Sequence, residues 1–418
     1  TIAPLFTADK VQRGLATSEL KKTFFSHYAT EEGVSPKVLE YVFNTELEEA
    51  FSEEIFKRGA RVDGRPFDKV RQISVEVGLL PYNHGSALFT RGRTQALVSA
   101  TLGSGTDTQR IEDIMTEPYE STFMLHYNFP PFSVGEVRPQ RGPGRREIGH
   151  GHLAASAISA VLPEAGEFPY TIRLVADMLE SDGSTSMATV CGSTMALMDA
   201  GVPITSMVSG IAMGLLMSRQ GSFQALSDIA GIEDAFGLMD FKVAGTDKGI
   251  TAIQMDIKHK MGLPREVFEK ALAQAKQGRA HILDEMRKCM TAPKNELSSL
   301  VPQIVMVKIP TDKIGAVIGT GGKVIREIID KTGTQIDIGD DGNVRIFGHP
   351  GEKLDKAVHW VKTLGGNIER GAVYEGPIKK IAEFGLFVEL VPGVDGLVHV
   401  SNIPREIGDF SKTMKIDE

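Results

Sequence analysis

The sequence is poor in cysteine: Cys191 and Cys289 are its only two in 418 residues, and neither stands in a metal-ligand spacing. That argues against a zinc site and for a reducing compartment such as the cytoplasm. Long apolar runs are missing too. None approaches the roughly 20 residues that span a bilayer, and no signal-peptide pattern opens the chain, so no membrane partner is expected. Positive charge is not in excess: 46 Lys and Arg against 54 Asp and Glu give a net charge of −8. Any nucleic-acid site must therefore be a local basic patch. Low-complexity tracts are absent as well. What is present, 41% hydrophobic and 24% charged residues, is an ordinary globular composition. The length suggests roughly three domains. The chain opens on Thr1 rather than methionine, which reads as a processed or cut product.

The chain changes character along its length. Residues 1–60 are polar with helical spacing, as in Leu39, Val42, Phe43 and Leu47, and hold no clear catalytic motif. Residues 61–292 alternate strand-like and helix-like segments. Within them, 86–101 reads as a hairpin turning at Arg91-Gly92-Arg93, 187–200 as a helix stopped by Gly201, and 264–290 as a long amphipathic helix. Residues 293–302 read as a linker, and two small modules follow at 303–366 and 371–418.

The segment 232–245 carries the strongest chemical signal. From Asp240 the residues alternate, so Asp240 and Lys242 share one face of a predicted strand while Phe241 and Val243 face a core. Asp234, on a loop before that strand, can fold back beside Asp240. Two carboxylates with nothing between them favour a hard divalent cation such as Mg²⁺. The adjacent lysine supplies positive charge where a phosphoryl oxygen would become negative. A loop aspartate plus a strand-end salt bridge would give the same letters.

Two further runs point the same way. Ser184, Thr185 and Ser186 follow Gly183 directly before the predicted helix, where hydroxyls and free amides cradle an anion. Plain helix capping is the alternative, although one hydroxyl would suffice for it. A Gly/Pro-rich stretch, 138–152, carries Arg138, Arg141, Arg145 and Arg146, with His150 one helical turn beyond Arg146. Arginine forks suit phosphate oxygens, though a solvated basic loop reads the same. Together the three runs describe a phosphoryl-transfer site.

Residues Gly319, Thr320, Gly321, Gly322 and Lys323 imitate a nucleotide loop, but Val324 stands where a Walker loop needs Ser or Thr and a dinucleotide fingerprint needs Gly or Ala. The run fits the GXXG loop of a KH domain, which clamps a nucleic-acid backbone, with Lys323 available to phosphate. Beyond it, runs at 371–376, 384–388 and 396–401 read as three short strands of an S1-type OB fold. Phe384, Phe387 and His399 are its candidate base-stacking rings, or simply core residues.

This order of parts resembles the bacterial polynucleotide phosphorylase family. So do the phrases His84-Gly85-Ser86-Ala87-Leu88-Phe89-Thr90-Arg91-Gly92, Leu125-His126-Tyr127-Asn128-Phe129-Pro130-Pro131 and Met239-Asp240-Phe241-Lys242. The resemblance implies a mixed α/β (α+β) chain. A helical linker domain at 1–60 would precede an RNase PH-like catalytic domain (ribosomal protein S5 domain 2-like) at 61–292. A KH domain at 303–366 and a truncated S1 OB fold at 371–418 would follow. It implies that Asp234 and Asp240 hold Mg²⁺ or Mn²⁺, that Lys242 assists catalysis, and that Arg145, Arg146, His150, Ser184, Thr185 and Ser186 hold phosphate. The implied activity is processive, reversible 3′-to-5′ phosphorolysis of single-stranded RNA, consuming orthophosphate and releasing nucleoside diphosphates. The implied setting is mRNA degradation in the cytoplasm, as a homotrimer with RNA-degradosome partners. The family's first RNase PH-like copy has no counterpart before Thr1, so the chain is expected to be part of a longer protein. Two rivals remain open, a non-catalytic RNA-binding scaffold of an exosome-like ring and a hydrolytic 3′ exoribonuclease.

Overall fold

The computed structural model describes residues 2–28, 35–112, 115, 117–164, 166–259, 262–366, 371, 373–391, 394–404, 407 and 410–416. They form two compact units, 1–298 and 299–418. Among the described residues no helix is long and apolar enough to cross a membrane.

The first unit opens with two helices, α1 (Lys10–Tyr28) and α2 (Pro36–Arg58). Asp9 caps α1 by accepting from the Val11 amide at 2.8 Å. Ser35 and Pro36 start α2, and Gly59, at φ 63°, ends it in the left-handed region. Leu39, Phe43, Leu47, Phe51 and Ile55, one turn apart, form its buried stripe, whereas Val42 lies outside that stripe and is exposed.

Strands β1 (Ile73–Val77), β2 (Gly85–Arg91) and β3 (Thr94–Gly103) follow, then a hairpin of β4 (Gln109–Ile111) and β5 (Tyr119–Ser121), and β6 (Phe123–Asn128). The expected hairpin turn is there: Arg91 pairs with Thr94 across Gly92 and Arg93. Helix α3 (Arg145–Ser159), β7 (Thr171–Glu180) and α4 (Thr185–Asp199) come next. The first sheet has the order β1-β2-β3-β7-β6. The second is built from β8 (Ser209–Met217), β9 (Phe223–Ser227), β10 (Met239–Gly245) and β11 (Ile250–Ile257) in the order β11-β10-β8-β9. Between β9 and β10 lies the short helix α5 (Gly231–Phe236), and α6 (Arg265–Cys289) closes the unit against β8, β9 and β1.

Helix α4 packs on β2 and β3 of one sheet and on β8 of the other, and every one of its residues is buried. Its sequence allows this because it carries no charge before Asp199. Two of its buried hydroxyls bond back to the helix, Thr189 to the Thr185 carbonyl and Thr194 to the Val190 carbonyl, each at 3.1 Å. Gly192 lets the helix approach the sheet: a Cβ there would meet Val98 Cγ2 at 2.8 Å.

In the second unit, β12 (Gln303–Lys308), α7 (Ile314–Ile318), α8 (Lys323–Thr332), β13 (Gln335–Ile338), β14 (Asn343–Gly348) and α9 (Glu352–Leu364) follow one another. Val307, Val317, Ile328, Val344, Ile346 and Val361 lie in one buried cluster. A three-stranded meander of β15 (Ile378–Ala382), β16 (Gly385–Val391) and β17 (Val394–His399) comes next, then the short helix α10 (Phe410–Thr413). The first strand of this module is thus 378–382, and the described residues of 371–376 are not strand. Ala372 lies outside the described residues.

Phe89, fully buried on β2, packs in this first unit. Phe89→Ala should lower its stability by about 3–5 kcal/mol, measured by urea unfolding. A loss under 1 kcal/mol would show that α4 and the sheet do not pack as described.

Candidate active site

The site is built where the start of α4, the start of α3 and β10 meet. On β10, Phe241 and Val243 are buried at 1% exposure each, and Asp240 and Lys242 take the other face, as the alternation predicts. Lys242 Nζ donates to Asp240 Oδ2. Asp240 Oδ1 is buried and has no hydrogen-bond partner among the described residues. Asp234 lies not on a loop but in α5. Helix α5 is held by Glu233, whose carboxylate accepts from the Ala230 amide at 2.9 Å and pairs with the buried Arg61 guanidinium. Burial and then the neighbouring Asp240 raise the Asp234 carboxyl above its ordinary range.

The second group comes from α3. Residues 138–144 are exposed irregular backbone, and the helix begins at Arg145, earlier than a Gly/Pro-rich loop reading suggests. Arg146 and His150 therefore sit one turn apart on that helix. Arg146 lies over the Phe129 ring, 4.7 Å from its centroid. His150 meets Tyr127 edge-on at 5.2 Å, and its Nδ1 is buried without a partner among the described residues. The imidazole is pushed down to about 4 by burial, and further by Lys242 and Arg146. It is neutral at pH 7. Arg145 and Arg146 are both exposed, and among the described residues no hydrogen bond or ion pair ties Arg145 to this group.

The third group is the turn into α4. Gly183 takes φ 89°, and a Cβ there would collide with the Gly231 amide and the Ile229 carbonyl at 2.8 Å. Ser184 is itself left-handed at φ 59°, and its side chain does not cap the helix. Ser184 Oγ and Ser186 Oγ are both buried without partners among the described residues. The Thr185 hydroxyl is shared with Tyr127 Oη at 2.7 Å. Hydroxyls and the first amides of a fifteen-residue helix are groups that can bind an anion.

Several residues that hold this site are invisible in the sequence patterns. Asp228, fully buried, pairs with Arg71 through both carboxylate oxygens at 2.7 and 2.8 Å and with Arg91 Nε at 2.7 Å. Burial opposes its charge, but Arg71 and Arg91 outweigh it and hold the carboxyl well below the usual range. Arg91 Nη2 in turn donates to the Ser184 carbonyl at 2.8 Å, and Thr94 Oγ1 to the Gly183 carbonyl at 3.0 Å. Lys258 donates to the Asp234 carbonyl at 2.5 Å. Tyr127 was legible only as part of a family-like phrase. Asp256 stands directly opposite Asp240 in the β10–β11 register, where like charges repel. Among the described residues no three His, Cys, Asp or Glu side chains form a metal-holding group. A cation on Asp234 and Asp240 would thus complete its shell with water or substrate oxygens, as Mg²⁺ commonly does. The unpartnered Asp240 Oδ1 and the crowded charge on Asp234 fit such an ion.

In the second unit, the GXXG run joins α7 to α8 with Gly319, Gly321 and Gly322 at φ 72°, 60° and 77°. Thr320 and Lys323 flank these glycines, and Arg326 Nε donates back to the Gly322 carbonyl at 3.1 Å. On the meander, Phe384 is 51% exposed and meets Phe387 edge-on at 6.1 Å. Gly385 pairs with His399, so Phe387 and the exposed His399 lie on the same sheet face, away from buried Leu386.

Three family models match the sequence: the 3′ exoribonuclease family, domain 1, over residues 69–203, the KH domain over 304–363 and the S1 RNA binding domain over 367–418. RNA-binding modules thus follow a nuclease-family domain on a mixed α/β chain. Among similar proteins is a polyribonucleotide nucleotidyltransferase from Phenylobacterium zucineum (strain HLK1), 53% identical over 94% of this chain and 54% of its own length. One from Geobacter sulfurreducens is 51% identical over 94% of this chain and 55% of its own length. One from Thermodesulfovibrio yellowstonii is 48% identical over 99% of this chain and 60% of its own length.

Two measurements test the site's construction. Asp228→Asn leaves two buried guanidinium groups short of a counter-charge and should cost about 3–5 kcal/mol, read as a lower urea midpoint. An unfolded histidine takes up its proton near 6.5 and His150 only near 4, so the unfolded chain binds more protons in that window. Stability therefore falls as pH drops from 6.5 towards 4. His150→Gln should flatten that fall in Tm, and an unchanged slope would contradict the burial of a neutral imidazole.

The chain spans about half the length of the curated relatives it matches, and over that span it is similar to polyribonucleotide nucleotidyltransferases.

Proposed function

We propose that the first unit carries a phosphorolytic site acting on the 3′ end of single-stranded RNA. The observation that carries this reading is a set of buried polar atoms left without partners: His150 Nδ1, Ser184 Oγ, Ser186 Oγ and Asp240 Oδ1. Buried polar atoms ordinarily find a partner, and these four are linked through Thr185, Tyr127 and Lys242. Hydroxyls and an amide-bearing helix end suit orthophosphate, and a water nucleophile would need no such cradle.

In this reading Ser184, Thr185, Ser186, His150 and Arg146 bind orthophosphate, with Arg145 reaching in from the exposed rim. A phosphate oxygen attacks the terminal phosphodiester phosphorus, and the bond to the preceding 3′ oxygen breaks and takes its electron pair. That oxygen gains a proton, giving a nucleoside 5′-diphosphate and an RNA one nucleotide shorter. The reverse sequence adds a nucleotide. Asp234 and Asp240 would hold Mg²⁺ or Mn²⁺, which when bound neutralises charge on the transferring group. Lys242 stands beside it and stabilises the same charge.

The GXXG residues Gly319, Thr320, Gly321, Gly322 and Lys323 would grip the RNA backbone, and Phe384, Phe387 and His399 would stack on bases. Both modules raise the local concentration of RNA rather than do chemistry. RNA turnover in the cytoplasm, as a homotrimer of the longer protein in contact with a degradosome, fits this activity and the two free cysteines.

Product analysis on poly(A) with Mg²⁺ tests the proposal. Nucleoside diphosphate that forms only with phosphate supports it, and monophosphate formed without phosphate would mean hydrolysis. Asp240→Ala should lower turnover by about 10²–10³-fold or more while RNA binding persists in a filter assay. Turnover that survives the change would remove Asp240 from the mechanism.

A further inference from the structure

Helix α1 contains no catalytic motif, yet its first turn reaches the anion cradle. Lys10 Nζ donates to the Ser181 carbonyl. Arg13 is 4% exposed, donates from Nη1 to the Thr7 carbonyl at 2.7 Å, and pairs through Nη2 with Asp182 Oδ2 at 3.2 Å. The other oxygen of Asp182 accepts from the amide of Gly231, the first residue of α5, at 3.3 Å. The backbone of Asp182 is held too: its carbonyl accepts from Arg71 Nη1 at 2.6 Å and its amide donates to Thr94 Oγ1 at 3.0 Å. Asp182 is thus a three-way junction. It joins α1, the turn that presents Ser184 to Ser186, and the helix that carries Asp234.

We propose that Arg13 and Lys10 are positioning residues for the orthophosphate cradle, so that the N-terminal helical segment is part of the site's machinery rather than a spacer. The inference rests on the phosphorolytic reading above. Its physical basis is the strain and burial at this turn. Gly183 and Ser184 both sit in the left-handed region, and for a serine that conformation persists only when its surroundings impose it. A buried carboxylate that loses its guanidinium seeks water or another donor. Without Arg13, the Asp182 side chain leaves the Gly231 amide, and the turn between them relaxes. The same segment also braces α5 from below, since Phe51 of α2 meets Phe236 at 5.2 Å between ring centroids. Neither Arg13 nor Lys10 touches the reacting atoms, so their effect must appear as altered phosphate affinity.

The test uses the full chain with poly(A), Mg²⁺ and orthophosphate, comparing Arg13→Met, Arg13→Lys, Asp182→Asn and the Arg13→Met/Asp182→Asn double variant. Arg13→Met should raise the KM for phosphate by about tenfold or more, as loss of an outer-shell partner does, with the KM for poly(A) within about twofold of the parent. Arg13→Lys should recover part of the phosphate affinity. The double variant should be no worse than Arg13→Met alone, because both changes break one link. Melting curves establish that each variant is folded at the assay temperature. An unchanged phosphate KM in Arg13→Met, or equal shifts in both KM values, would overturn the inference. Direct binding of radiolabelled orthophosphate by equilibrium dialysis separates this claim from the enzymatic one. If the parent chain binds phosphate but releases no diphosphate, the phosphorolytic reading fails for this chain. The positioning claim then stands if Arg13→Met weakens binding about tenfold, and falls if it does not.

Discussion

One buried carboxylate organises the first unit. Asp228, with no exposed surface, is charged in the interior because Arg71, Arg91 and, at 3.4 Å, Arg65 supply positive charge to its oxygens. An isolated charge in that position would be prohibitive, so the pairing must form whenever the unit folds. Each arginine also donates to backbone: Arg91 to the Ser184 carbonyl, Arg71 to the Asp182 and Ile229 carbonyls. The turn before α4 and the turn before α5 are therefore fixed by the same ions. The left-handed serine and the short helix bearing Asp234, each weak by local propensity, are held by this arrangement.

A second ion pair repeats the device. Arg61 clasps Glu233 and also donates to the Asp228 carbonyl at 2.9 Å, so the segment just after α2 locks α5 from its other side. Glu233 simultaneously closes the first turn of α5. A six-residue helix has little stability of its own. Its persistence at this place comes from the tertiary ion pair, and with it comes the position of one candidate metal ligand.

These facts explain which parts were legible in the sequence. Strand β10 was readable because alternation is a local property, and it placed Asp240 and Lys242 on one face correctly. The start of α4 and the hairpin at Gly92 were readable for the same reason. Helix α5 was not, since its letters are short and glycine-flanked, and what makes it helical is Arg61, 172 positions away. The network of Arg13, Asp182, Arg71, Arg91 and Asp228 was equally hidden, because its partners are brought together by the fold and follow no spacing rule. Arg145 and Arg146 look equivalent in sequence, yet it is Arg146 that lies over the Phe129 ring. The first strand of the last module fell a few residues late because glycines and a valine gave 371–376 a strand-like pattern that its described residues do not adopt.

Where phosphate and metal bind decides whether this site is phosphorolytic. A crystal structure of the chain with orthophosphate and Mn²⁺, the metal located by its anomalous signal, addresses both at once. Phosphate should be held by the Ser184 and Ser186 hydroxyls, the first amides of α4 and His150, with Mn²⁺ on Asp240 Oδ1 and the Asp234 carboxylate. Phosphate bound elsewhere, or a metal that leaves Asp240 paired only with Lys242, would contradict it.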